Sequence, residues 1–137
     1  EAHDGAPIES GRIYLAPGGE THLQVQGRSH RRCVLAAGDP ISGHKPSVDA
    51  LFSSAASCIG ARAVGVILTG MGRDGAKGLL AMREAGARTL GQDEATSVVY
   101  GMPKAAFELG AVERQLPLAQ IGAAALELCA HQPEGVH

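Results

Sequence analysis

The sequence predicts an α/β fold: a doubly wound, mostly parallel sheet with helices on both faces, plus a small antiparallel hairpin segment near the N-terminus. Three observations carry that reading. Residues 63–68 (AVGVIL) are small or branched and apolar, with no charge and little alternation, as expected of a strand buried on both faces of a parallel sheet. The run breaks into Gly70-Met71-Gly72-Arg73-Asp74-Gly75, where closely spaced glycines permit a sharp turn, and a helical pattern follows over about 75–85 with Gly86 behind it. A second short strand is predicted over 87–91, so strand, helix and strand form a βαβ unit with parallel strands. Sites in such folds lie at the carboxyl ends of strands, which directs attention to the turn at 69–75.

The remaining elements follow in order. Residues 1–10 are polar and read as a lead-in. Residues 12–16 predict a short strand closed by Pro17-Gly18-Gly19. Residues 22–26 alternate polar and apolar (Leu23, Val25) and predict a half-exposed strand; residues 33–36 predict a third, completing a meander. The loop 38–45 leads to Pro46 and Ser47, which open a helix over 48–59. Its apolar positions Val48, Leu51, Phe52, Ala55 and Ile59 fall at helical spacing, with Gly60 suited to the position after the cap. After the βαβ unit, 92–97 reads as polar loop. Pro103 stands in the first turn of a helix to Leu109, which Gly110 ends. Residues 112–116 predict an edge strand, 118–130 a last helix, and 131–137 a frayed end.

A length of 137 residues predicts one domain. Apolar content of 45% indicates a globular chain, and two Tyr, two Phe and no Trp indicate an aliphatic core without base-stacking surfaces. A net charge of −2 leaves no electrostatic footprint for nucleic acid or membrane, and the basic cluster at 28–32 reads as a solvated turn. Cys33, Cys58 and Cys129 show no paired spacing, so a reduced, cytoplasmic setting is expected, with no metal held by them. No apolar run is long enough to span a membrane and no leader pattern opens the chain. The chain opens at Glu1 without Met, and is expected to be a piece of a longer product.

Four features carry candidate chemistry. Gly70-x-Gly72-x-x-Gly75 matches the dinucleotide fingerprint, with Asp93 and Glu94 downstream, yet Asp74 within the turn would repel a pyrophosphate. Asp74 reads in two ways: as the N-cap of the following helix, or as an acid that orients a histidine during acyl transfer. Backbone N–H groups of Gly70-Met71-Gly72 point outward together and suit an oxyanion, or the glycines merely permit the turn with Met71 as core filler. His44 is either a solvated loop residue or faces the same cleft as Asp74. No histidine pair suggests a metal site, and no cofactor is expected.

The segments GRIYLAPGGETHL, HKPSVDALFSSAA and AVGVILTGMGRDGAKGLLAMREAGARTLGQDEATSVVYGMPKAAFELGAV together closely resemble the catalytic domain of chemotaxis protein-glutamate methylesterases, the CheB family. The similarity runs in order from Glu1 to about Ile121. It implies a serine–histidine–aspartate hydrolase that cleaves glutamyl methyl esters, and deamidates glutamines, on the cytoplasmic domain of methylated chemoreceptors. By motif, Asp74 matches the triad aspartate, the Met71 N–H the oxyanion donor, and His44 a further active-site histidine. In the family the serine turn and the triad histidine precede the segment that residues 1–5 resemble, and no serine or histidine here matches them. Residues 1–137 are thus expected to be the second two-thirds of the domain. The first strands and the receiver domain of the same longer chain would be missing, and the piece alone inactive. A Rossmann-like dinucleotide module and a non-catalytic interaction fragment stand as rivals.

Overall fold

The computed structural model describes residues 1–130; the predicted frayed end, 131–137, lies outside them. Strands β1 (Thr21–Gln26) and β2 (Arg32–Ala37) form an antiparallel hairpin, with Thr21 opposite Ala37 and Gln26 opposite Arg32. The strand predicted over 12–16 does not form. The free edge of β2 is taken instead by the lead-in: Gly5 N–H donates to the Cys33 carbonyl, Cys33 N–H to Ala6, and Ile8 N–H to Arg31. With that edge occupied, Ile13 and Leu15 stay exposed. In β1 the predicted alternation holds from Leu23 to Gln26, and His22 departs from it. His22, Leu23 and Val25 are buried because helix α1 (Val48–Cys58) lies over β1, where Ser54 Oγ accepts the Val25 N–H at 2.9 Å.

The main sheet has three parallel strands, β3 (Val64–Ile67), β4 (Arg88–Gln92) and β5 (Arg114–Leu116), in the order β3-β4-β5. Val64 sits opposite Arg88 and Leu90 opposite Arg114. Helices α2 (Ala76–Glu84), α3 (Met102–Glu108) and α4 (Leu118–Ala130) flank it, so the expected α/β architecture with its N-terminal hairpin is present. Burial along β3 alternates: Gly65 and Ile67 are buried, Val64 and Val66 half-buried, and Leu68 beyond them exposed. Among the described residues β3 is an edge strand, with no outer neighbour to complete the two-faced burial its composition predicts.

Close approach of backbones sets the geometry around β3. A Cβ on Gly65 would stand 2.5 Å from Leu79 Cδ1, so α2 lies directly on the strand. A Cβ on Gly78 would stand 2.7 Å from Phe52 Cβ and 3.1 Å from the Asp49 backbone, so α1 and α2 cross in near contact. The core that α2 shares with β3 and α3 is aliphatic: Ile67, Leu79, Met82, Ala106 and Val112. Helix α1 starts at Ser47, whose hydroxyl accepts the Ala50 N–H at 3.3 Å, and is followed by Gly60 at φ 61°, as the sequence predicts. The stretch read as polar loop from Gln92 begins differently: Gln92 ends β4 and is fully buried.

Candidate active site

The turn between β3 and α2 carries the site. Asp74 does not cap the helix that follows it; Gly75, at φ 97°, holds that position without a side-chain bond. Asp74 stands one residue too early, and its carboxylate swings back onto the start of α1. Its Oδ1 accepts from Ser47 Oγ at 2.7 Å and from the Asp49 N–H at 2.9 Å, and its Oδ2 accepts the Val48 N–H at 2.7 Å. These N–H groups have no partner inside the helix, and the positive end of the helix dipole favours a carboxylate there. The side chain is 2% exposed. A carboxylate offers about four lone-pair positions; three are taken, and the open one is on Oδ2.

The cap is returned. Asp49, in the first turn of α1, accepts the Gly78 N–H of α2 on Oδ1 at 2.7 Å. Thus α2 starts on a carboxylate of α1, and α1 on a carboxylate of the turn that leads into α2, which the near contact at Gly78 permits. Asp49 Oδ2 also accepts from Ser42 Oγ at 2.7 Å. Ser42 and Gly43 (φ 53° and 79°) form a two-residue turn closed by reciprocal bonds between Ile41 and His44. His44 is exposed at the end of that turn and lies against the glycine turn, where a Cβ on Gly72 would be 3.6 Å from its Nε2. His44 makes no hydrogen bond to Asp74.

Met71 is no core filler. Its side chain is 76% exposed, and among the described residues its N–H donates to no protein acceptor. The turn around it is pinned from below. The Gly70 N–H donates to Val99, and the Gly70 carbonyl accepts from Gly101 and Met102. Gln92 ties the ends of β3 and β4 together, accepting the Thr69 N–H at 2.8 Å and donating to the Thr96 carbonyl at 2.7 Å. A cavity of about 620 Å³ opens beside this assembly, between Ser42, Asp49, Gly72, Arg73, Lys77 and Leu109.

Sequence reasoning missed three members of this network: His22, Asp49 and Gln92. His22 is 3% exposed; its Nε2 donates to the Asp39 carbonyl at 2.8 Å and its Nδ1 accepts the Ser47 N–H at 3.1 Å. One signal was available beforehand, an acidic residue in the first turn of a predicted helix at Asp49; Gln92 fell in the stretch read as polar loop and carried none. Two of the three fingerprint glycines serve packing. A Cβ on Gly70 would collide with Met102 and one on Gly75 with Val48 and Ile67, while Asp93 binds the Thr96 N–H. Among the described residues no cluster of His, Cys, Asp and Glu has the arrangement of a metal site.

The family model for CheB methylesterase matches residues 1–125. The chain belongs to the CheB methylesterase family. It is 65% identical over 128 residues to a Caulobacter vibrioides protein-glutamate methylesterase/protein-glutamine glutaminase, covering 93% of this chain and 37% of that protein. An Agrobacterium fabrum relative of the same description is 64% identical over 135 residues, or 98% of this chain and 38% of the relative. The chain therefore spans well under half the length of these relatives. The fold matches the crystal structure of the Thermotoga maritima CheB methylesterase catalytic domain with a TM-score of 0.89 and 36% identity, over 93% of this chain and 68% of that one. Nothing in the packing or in these relatives supports the dinucleotide reading of the glycine turn.

Proposed function

We propose that this chain is part of a catalytic domain that hydrolyses glutamate methyl esters, and deamidates glutamines, on the cytoplasmic domain of chemoreceptors, acting in the cytoplasm alongside a receiver domain of the same longer protein. The observation that carries the reading is the pairing at the end of β3. A buried carboxylate keeps one lone pair on Oδ2, three residues from a Met71 N–H that has no acceptor among the described residues. These are the two fixed parts an acyl-transfer site needs from its scaffold.

In this reading a serine and a histidine come from the part of the domain outside these residues. The serine oxygen attacks the ester carbonyl while its proton passes to the imidazole. Asp74 Oδ2 accepts the other imidazole N–H, fixing the tautomer and stabilising the imidazolium. Met71 N–H donates to the oxyanion of the tetrahedral intermediate, with His44 bordering the same space. The imidazolium then protonates the departing methanol, or ammonia from a glutamine, and water hydrolyses the acyl-enzyme by the reverse path.

The test is methanol release from methylated receptor. The 137-residue chain alone is expected to show none, whereas the full-length protein turns over. In that protein Asp74→Asn lowers kcat by about 10⁴-fold in samples verified as folded. Met71→Ala leaves kcat within a few-fold, since only the backbone N–H is used. Full activity of the Asp74→Asn protein would refute the assignment.

A further inference from the structure

Ser42 has a left-handed backbone, φ 53°, beside Gly43 at 79°. Two-residue turns with both φ values positive favour Asn, Asp or Gly. Serine is not the residue such a turn selects, so the side chain needs another reason. Its hydroxyl donates to Asp49 Oδ2 at 2.7 Å, and Asp49 is 6% exposed with its other oxygen on the Gly78 N–H. Asp49 also gives its own N–H to Asp74 Oδ1. One buried residue thus joins three parts: its carboxylate holds the first turn of α2 and the turn that ends in His44, and its backbone N–H meets the Asp74 cap. His22 fixes the same loop at its two ends, through the Asp39 carbonyl and the Ser47 N–H. Among the described residues, the Ser42–Asp49 bond is the one side-chain hydrogen bond that ties the tip, from which His44 approaches Gly72, to the rest of the fold.

We infer that Asp49 is a positioning residue, holding His44 against the glycine turn through the Ser42 hydroxyl. This rests on the esterase reading above. If His44 borders the reacting ester, the tether sets how often it stands in the productive place, and a displacement of about 1 Å in such a group is worth up to 10²-fold in rate.

The decisive variant is Ser42→Gly in the full-length protein. Glycine suits φ 53° better than serine, so the turn survives and only the tether is lost. The expected result is a kcat about tenfold lower with KM little changed, and faster hydrogen exchange at the Ile41 and His44 amides, but not at Ala50 in α1. In a His44→Gln background the same substitution should cost nothing further. Asp49→Asn should retain most of the rate, because its amide oxygen still accepts from Gly78 and its NH₂ donates to the serine oxygen. Asp49→Ala should lose it. Unchanged kcat in Ser42→Gly, or an equal loss with and without His44, would overturn the inference. An inactive unsubstituted protein would instead overturn the esterase reading, so the two failures are distinguishable.

Discussion

Asp74 caps α1, and in the proposed reading it also orients the histidine; substitution separates the two. Three of its bonds go to the start of α1, so Asp74→Ala strands the Val48 and Asp49 N–H groups and the Ser47 hydroxyl in a site that water barely reaches. Loss of a helix cap costs about 1 kcal/mol and an unsatisfied buried polar group about 1–3 kcal/mol. Urea unfolding should therefore place Asp74→Ala about 2–4 kcal/mol below the parent, and Asp74→Asn between the two, since one amide oxygen still accepts. A loss under 0.5 kcal/mol would mean that the cap is not what holds this carboxylate, a figure typical of unconnected surface sites. The sequence made the residue legible but not its direction. Asp at a helix start is ordinarily read as capping that helix, and only the near contact of α1 and α2 turns it onto the other one. Asp49 and His22 were harder to see, because their partners lie far along the chain: Gly78 for Asp49, and both Asp39 and Ser47 for His22.

At the level of elements, the strand–helix–strand core was legible because its signals are local: an uncharged apolar run, glycines at both ends, helical spacing between. The strand predicted over 12–16 failed because its pattern was right but its partner edge was already taken by residues 5–8. Two glycines test the packing. Gly122 is exposed within α4 with nothing near a new Cβ, so Gly122→Ala should gain about 0.8–1 kcal/mol from helix propensity. Gly78→Ala gains the same propensity but meets Phe52 and the Asp49 backbone. Overpacking of this kind costs about 1–3 kcal/mol, so the net sign reverses; equal effects in thermal unfolding would refute the crossing. The Arg88–Glu113 pair, tying β4 to the start of β5, adds a pH dependence. Its side chains are 47% and 26% exposed, with bonds of 2.9 Å from Arg88 Nε to both Glu113 oxygens. The guanidinium holds the Glu113 carboxyl below its usual range. A depressed folded pKa means that the stabilisation is complete above the unfolded value of about 4.3 and is lost as pH falls through the lower folded value. The stability gap between the parent and Glu113→Gln should hold constant from pH 8 to about 5 and close below about 4.3; a gap that widens on acidification would contradict the pairing.

For the whole molecule, the question is what covers the outer edge of β3. Among the described residues that strand has a neighbour on one side only, and Leu68 at its end is exposed, as are Leu126 on α4 and Val98 in the loop beside Thr69. A free parallel edge next to apolar side chains is a surface that recruits another strand, because its N–H and C=O groups have no ladder partner. We propose that the first part of the catalytic domain supplies that strand, along with the serine and histidine. The chain covers 68% of the Thermotoga maritima domain it resembles, which leaves room for such a segment. The 137-residue chain alone should then associate at micromolar concentration, or bind a hydrophobic dye, while a chain extended upstream through the whole domain should be monomeric and bind less of it. Hydrogen exchange locates the effect. Exchange at the backbone amides of 64–68 should slow in the extended protein, while those of β5, at the opposite edge, should not change. A 14.0 kDa monomer that binds no dye and already protects 64–68 would mean that the edge is satisfied within these residues, and the serine and histidine would then have to reach Asp74 from some other side.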